Sequence, residues 1–428
     1  MHPSAPSAGS SLAAWLDYLE RLHPKAMDFG LDRIDAVRAR LALVPAFPLI
    51  TVGGTNGKGS TCALLESFLR CAGYRVGRYS SPHLLRYNER VSIDGREAGD
   101  ADLVHAFERV EAARAEVSLT YFEFGTLAAM LLFQEVPVEV AVLEVGLGGR
   151  LDAVNVFDPD CAVLVSVGLD HMEYLGDSRE AIGAEKAGIF RAGRPAIIGD
   201  PDPPHSVIEH AQRIGASIHL IDRDFGAVAR EQDWTFWSLH ARRAGLPWPS
   251  LRGAFQLGNA AAALMALETI RSRLPVDMGA IRRGLVEVEL PGRFQVLPGR
   301  PMTILDVAHN PHAALRLREN LSRIPGGRTL AVFAMLRDKD VVGVARVLAD
   351  SVDTWFVATL PGPRGESADG LAARLRTAGV VAAVHVCRDV PEAMRSARGE
   401  AGADDKIVVF GSFLTVAAAL GFSDTRSG

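Results

Sequence analysis

The sequence is short of several things, and each shortage closes off a class of protein. It has only four cysteines, Cys62, Cys71, Cys161 and Cys387, with no C-x-x-C pair among them. Neither a disulfide framework nor a zinc knuckle is therefore expected, and the thiols read as reduced, packed as small apolar groups. No uninterrupted apolar run approaches a bilayer span, so no membrane anchor is expected. The opening MHPSAPSAGSSLAAWL lacks the basic and apolar regions of a secretory signal; it reads as a short disordered lead and points to the cytoplasm. Charge of one sign is not in excess: 46 basic and 51 acidic residues are interspersed for a net charge of -5, which argues against a nucleic-acid partner. No internal repeat or low-complexity segment stands out. What is left is a globular composition, and 428 residues are too many for one core, so two domains are expected.

What is present is, first, LITVGGTNGKGS at 49 to 60. Leu49, Ile50 and Val52 form a short apolar strand. Gly53, Gly54, Gly57 and Gly59 then let backbone N–H groups close on a polyphosphate, and Lys58 brings a point charge to the β- and γ-phosphates. The following STCALLESFLRCAG has helical spacing and stops at Gly73, which completes strand, loop and helix. The loop is a variant P-loop, because Gly53 and Gly57 enclose three residues where the strict motif has four, and Ser60 comes one place late. A glycine-rich turn with an incidental lysine is the weaker reading.

Two helices are expected between 11 and 43, ended by Pro45 and Pro48. RVGRYSS is a strand, and Pro82 forces an extended exit that leaves Ser80, Ser81 and His83 at its end. From 100 to 135 the pattern is helical with an interruption near TYFEFG. VEVAVLEVGLGG and CAVLVSVGLDH are continuous apolar runs of the kind buried on both faces of a parallel sheet, delivering Glu144 from one and Asp170 and His171 from the other. AEKAGIF, AIIGD and SIHLI continue the alternation. The fold class is α/β: a P-loop-type doubly wound, mostly parallel sheet in residues 1–295, followed by a smaller Rossmann-like α/β domain in 296–428. A small antiparallel excursion is expected near 223 to 252. PGRFQVLPGRP reads as the interdomain link and a hinge, and TILDVA, TLAVFAML, TWFVATL, AAVHVC and KIVVFGS as five strands beyond it.

Glu144 at the end of an apolar strand is costly unless it meets a cation or a donor. A Mg²⁺ ion near the phosphates meets that need, with Ser60 and Ser81 as further oxygens; the alternative is a salt bridge to Arg150. His171 is balanced between a packed core histidine and a second metal ligand. Lys186, read at the start of a helix, looks like an exposed helix lysine on this feature alone. Asp306, His309 and Asn310 cluster at a strand end before Pro311, with N-capping as the competing use. Ser412 closes another strand near the same edge.

GTNGKGS, SSPHLLRYNERV, TYFEFGTLAA, LEVGLGGRLDAVN, GLDHMEYLG, EKAGIF, PGRFQ, DVAHNP and DKD resemble, in that order, the folylpolyglutamate synthase and dihydrofolate synthase family of the Mur-ligase superfamily, in its bifunctional bacterial form. The resemblance runs from about residue 11 to 416. It implies that Thr55, Asn56, Gly57, Lys58, Gly59 and Ser60 hold ATP phosphates, with Asn259, Arg293 and Asp306 completing the nucleotide site. It implies two Mg²⁺ ions, one on Ser81 and Glu144, the other on His171 and on Lys186 carried as a carbamate. The pterin would lie against Gly30, Leu31, Asp32, Thr120, Tyr121, Phe122, Glu123, Leu151, Asp152 and Ala153, and His309 and Ser412 would face the incoming glutamate. Lys58, Lys186 and His309 would be the catalytic residues.

The implied substrates are dihydropteroate or a folate, L-glutamate and ATP, on a monomer without nucleic-acid or membrane partners. A substrate carboxylate takes the γ-phosphoryl group, and the amine of glutamate attacks the acyl phosphate. Three alternatives stand beside this: one of the two folate activities alone, another Mur-type amino-acid ligase, and a P-loop switch without ligase chemistry. Only about 50 residues precede the loop, which leaves no room for the UDP-binding domain of a cell-wall ligase.

Overall fold

The computed structural model describes residues 4–424 other than 8, 26 and 254; positions 1–3 and 8 of the expected disordered lead lie outside the described residues. The chain divides into two compact units, residues 1–250 with 257–288, and residues 251–256 with 289–428.

The first unit is built on eight strands: β1 (Leu49–Gly53), β2 (Val76–Tyr79), β3 (Val91–Ile93), β4 (Arg96–Glu97), β5 (Val140–Glu144), β6 (Cys161–Leu164), β7 (Pro195–Ile198) and β8 (Ser217–Leu220). They run in the order β4-β3-β2-β5-β1-β6-β7-β8. Six are parallel, while β3 and β4 return antiparallel at one edge. β1, β5 and β6 are wholly buried, which is why they read as unbroken apolar runs and not as alternating ones. The parallel pairing sets Val52 opposite Glu144 and Tyr79 opposite Leu143, so the ends of β1, β2 and β5 open at one level of the sheet.

Helices complete the unit. Lys58–Cys71 packs on β2 and β5 and is covered in turn by Met278–Glu287; Gly284 lies so close that a Cβ there would come within 2.7 Å of the Phe68 ring. The N-terminal helices Leu12–Leu22 and Asp32–Arg40 fall within the expected span. Trp15 of the first meets Phe107 at 6.1 Å between ring centroids. The helical stretch from 100 to 135 breaks just before TYFEFG, because Thr120 caps the helix Tyr121–Glu135: its hydroxyl accepts from Glu123 N and Glu123 Oε2 accepts from Thr120 N. The antiparallel excursion is a three-stranded sheet of β9 (Phe225–Ala229), β10 (Trp234–Ser238) and β11 (Arg242–Leu246).

The second unit holds a six-stranded sheet, β12 (Gln295–Leu297), β13 (Met302–Leu305), β14 (Thr329–Phe333), β15 (Thr354–Ala358), β16 (Ala383–Cys387) and β17 (Lys406–Phe410), in the order β12-β13-β17-β14-β15-β16. Five are parallel and match the five expected strands. The sixth, β12, corrects the sequence reading: the stretch taken as a link forms an antiparallel ladder with β13. Three residues between proline- and glycine-rich turns are too few to show a period in sequence. Phe333, Trp355 and Phe410 pack together at the centre, with centroids 4.9 to 6.0 Å apart.

Candidate functional site

The glycine-rich loop is tied down by the segment after β6. Thr55 N donates to Ser166 O at 2.8 Å, Asn56 N to Ser166 Oγ at 3.1 Å, and Thr55 Oγ1 exchanges bonds with Gly168 O and N. Gly57 caps the helix Lys58–Cys71 in the left-handed region at φ 88. A Cβ there would sit 2.7 Å from Val165 Cγ1 and 2.8 Å from Asn259 Oδ1, so Asn259, from the helix Phe255–Thr269 and about 200 positions away, closes against the loop. Only glycine allows that approach with that backbone. The leading N–H groups of the helix and its dipole then favour an anion at this end.

Two lysines converge on the loop. Lys58 Nζ donates to Gly54 O at 3.0 Å and to Thr55 O at 3.3 Å, and Lys186 Nζ donates to the same Gly54 O at 3.2 Å. Lys186 is buried, at 4% exposure, and that Gly54 bond is the single hydrogen bond of its side chain among the described residues. Burial first, and the charge of Lys58 second, lower its amine from the usual 10.5 to about 7. The sequence reading is corrected twice here: Lys186 lies near the end of its helix, Arg179–Ala187, and it is not an exposed lysine. One face of that helix is packed under the loop, which its alanine- and glycine-rich sequence did not reveal.

Glu144 ends β5 as expected, and its Oε2 accepts from Ser81 N at 3.2 Å. Arg150, the alternative partner, pairs instead with Glu185 at 2.8 Å. The preceding residue, Ser80, is held by a largely buried ion pair: Arg78 donates to Glu66 at 2.6 Å and to Ser80 Oγ at 2.6 Å. Asp170 and His171 lie six and seven positions beyond the end of β6, not at it. His171 is left-handed at φ 51 with its N–H on Asp170 Oδ1 at 2.9 Å. Among the described residues no three of His, Cys, Asp and Glu gather around one point. The donors that do fit a hard cation are oxygens, the Glu144 carboxylate and the hydroxyl of Ser81, whose backbone N–H meets that carboxylate, so phosphate or water oxygens would complete the shell. Lys186 fits such a cation only as an anion.

The segments expected to hold the pterin come together in part. Arg33, which the sequence reading missed, donates to Asp28 Oδ2 at 3.0 Å and to Glu123 Oε1 at 3.1 Å and so ties Gly30–Asp32 to Thr120–Glu123. Its partners lie 5 and 90 positions away, and no local spacing signals the second. A cavity of about 90 Å³ is lined by Phe29, Leu147–Leu151, Tyr174 and Leu175. Asp152 supports this loop from inside: its carboxylate accepts from Leu147 N and Val154 N, and burial pushes its pKa up to about 6. Ala153 is buried beside it. Phe122 rests 5.6 Å from the Tyr79 ring.

In the second unit Asp306 follows β13 and is buried, accepting from Phe294 N at 3.0 Å and Ala308 N at 2.8 Å. Burial lifts its pKa to about 6 against those bonds and Arg293. Arg293 and His309 share the Phe413 ring, at 4.9 and 6.4 Å. Asn310 caps the helix Pro311–Leu321, the competing use weighed for it. Ser412 is buried, its hydroxyl accepting from Thr415 N at 3.0 Å.

Comparison with known proteins gives a consistent picture. Residues 52–267 match the family described as Mur ligase middle domain, and residues 292–413 the one described as Mur ligase, glutamate ligase domain. The dihydrofolate synthase/folylpolyglutamate synthase of Escherichia coli strain K12 is 46% identical over 98% of this chain and 97% of its own. The structure of E. coli FolC in complex with DHPP and ADP superposes with a TM-score of 0.95 at 45% identity, covering 99% of this chain and all of that one. A bifunctional folylpolyglutamate synthase/dihydrofolate synthase with Mn, AMPPNP and L-glutamate bound gives 0.91 at 47% identity over 98% and 100%.

Proposed function

Because the chain belongs to the Mur ligase family, among its dihydrofolate synthase/folylpolyglutamate synthases, we propose that it uses ATP to join L-glutamate to dihydropteroate and to the γ-carboxylate of folylpolyglutamates. The observation that carries this most directly is the loop at the end of β1, with two lysines on the Gly54 carbonyl and Glu144 at the end of the neighbouring strand.

In this reading Thr55–Ser60 and Asn259 seat the triphosphate, and Lys58 leaves the Gly54 and Thr55 carbonyls to neutralise charge growing on the γ-phosphoryl group. A substrate carboxylate oxygen attacks that phosphorus; ADP leaves, and an acyl phosphate forms. The amine of glutamate then attacks the acyl carbon, phosphate leaves, and a proton goes to solvent. Arg293 and Asp306 are assigned to the nucleotide, His309 and Ser412 to glutamate. Gly30–Asp32, Thr120–Glu123 and Leu151–Ala153 are assigned to the pterin. Two Mg²⁺ ions, one on Ser81 and Glu144 and one on His171 and Lys186, supply charge neutralisation at the phosphates when bound.

Lys186 enters as a carbamate. Its amine lone pair forms a bond to the carbon of CO₂, one C=O electron pair moves to oxygen, and the amine proton is lost to solvent. Its lowered pKa and single hydrogen bond support this, since the neutral amine is the form that reacts. Location in the cytoplasm and a monomeric state go with the reading.

The test offers dihydropteroate and tetrahydrofolate separately, with ATP and L-glutamate, and measures amide and ADP together. One ADP per amide, dependent on both acceptor and glutamate, is expected. ATP turnover at full rate with neither present would instead identify a nucleotide switch.

A further inference from the structure

A second cavity lies beside the Ser81 corner. Its volume is about 240 Å³, and His23, Lys25, His83, Arg90 and Tyr121 line it together with one acid, Glu20. Arg90 is its most constrained cation. Its Nε donates to His83 Nδ1 at 2.8 Å, which fixes that ring nitrogen as an acceptor. Its guanidinium carbon stands 5.4 Å from the Tyr87 ring centroid and 5.3 Å from that of Tyr121. Its backbone oxygen accepts from Ser80 N at 2.9 Å, so the residue is anchored next to Ser81.

Arg90 also lacks what the other enclosed arginines have. Arg33, Arg78 and Arg114 each hold a carboxylate, whereas among the described residues no Asp or Glu lies within ion-pair distance of Arg90. The other cations of the cavity are already engaged: Lys25 lies 3.6 Å from Asp28, and His23 bonds Ser118 and Asp28. A guanidinium held in place by two rings and a histidine, with its terminal N–H groups uncommitted among the described residues, is preorganised for a planar anion, which a carboxylate matches in two-point fashion.

Resting on the proposed function, we propose that Arg90 and this cavity form a carboxylate subsite, and that it takes the α-carboxylate of the terminal glutamate when the acceptor already carries a tail. The reacting carboxylate of dihydropteroate belongs to a benzoate and has no second carboxylate near it. That of a glutamylated folate is a γ-carboxylate with an α-carboxylate four bonds away, carboxyl carbon to carboxyl carbon. A cation beside the Ser81 corner therefore distinguishes the two acceptors. Arg90 becomes a specificity residue for chain extension, with no part in the first glutamylation.

The experiment measures KM and kcat for dihydropteroate and for tetrahydrofolate in Arg90→Gln and Arg90→Lys, at saturating ATP and L-glutamate. Arg90→Gln should raise KM for tetrahydrofolate about ten- to a hundredfold, the scale of a lost charge-assisted bond, while KM for dihydropteroate stays within about twofold. Arg90→Lys keeps the charge without the fork and should fall between. The dihydropteroate rate reports that the variant is folded. An equal loss on both acceptors, in both variants, would make Arg90 a structural clamp and overturn the subsite; so would no loss on either. A wild-type protein that extends dihydropteroate alone overturns the subsite and leaves the ligase reading standing, whereas one that extends neither acceptor removes the ligase reading itself.

Discussion

Lys186 and Lys58 donate to one carbonyl oxygen, and two ammonium groups so placed repel each other. The enclosed one yields, which is why burial and Lys58 together bring Lys186 to about 7. The folded-state value lies below the ordinary 10.5, so between about pH 7 and 10.5 the unfolded chain binds a proton that the folded chain does not. Stability from this group therefore rises with pH across that window and is constant below it. Replacing the amine with an uncharged group of similar shape removes the buried charge. Lys186→Met is thus expected to raise the melting temperature at pH 6 and to lose nearly all ligation. Lys186→Ala should lose ligation too but regain part of the rate with added acetate, which can place oxygens where the carbamate stood. Calorimetry and an amide-formation assay check both. Normal turnover in either variant would return Lys186 to a packing role.

Among the elements, the turn from β1 into the helix Lys58–Cys71 makes the greatest demand on one backbone position. Gly57→Ala meets two costs: a left-handed φ of 88, and a Cβ 2.7 Å from Val165 and 2.8 Å from Asn259. Gly73 has a similar φ of 94 with nothing within 4 Å, so Gly73→Ala isolates the backbone cost, about 1 kcal/mol. Gly57→Ala should destabilise by more than that and should weaken nucleotide binding, because Asn259 must move. Melts with and without ADP measure both effects, and equal shifts in the two variants would mean that the Asn259 contact is unimportant. The elements themselves were legible where burial is two-sided, as in β1, β5 and β6. Thr120 and Glu123 are spaced as a capping box, a helix-start signal that the expected interruption near TYFEFG reflected only in part. The edge strands β3, β4 and β12 were not legible, since two or three residues carry no period.

At the scale of the molecule, Asp306 and His309 belong to the second unit, about 250 positions after Lys58, and the functional reading gives them a part in the same reaction. Asp306→Ala and His309→Ala are expected to lower kcat/KM for ligation roughly a hundredfold, an effect of about 3 kcal/mol on the barrier, while far-UV circular dichroism is unchanged. Wild-type kinetics in both would confine the chemistry to the first unit. The sequence by itself determined the α/β class, the phosphate loop and the strand ends at Glu144, Asp306 and Ser412, because these rest on local patterns: continuous burial, glycine spacing, a helix start. Only the tertiary structure decided that Lys186 is buried against Gly54, that Asn259 closes on Gly57, that Arg33 joins Asp28 to Glu123, and that Arg90 stands beside two tyrosines with no carboxylate at ion-pair distance among the described residues. Each of these depends on groups brought together across the fold, and the free energy of a buried charge is set by what surrounds it in space and not by its neighbours along the chain.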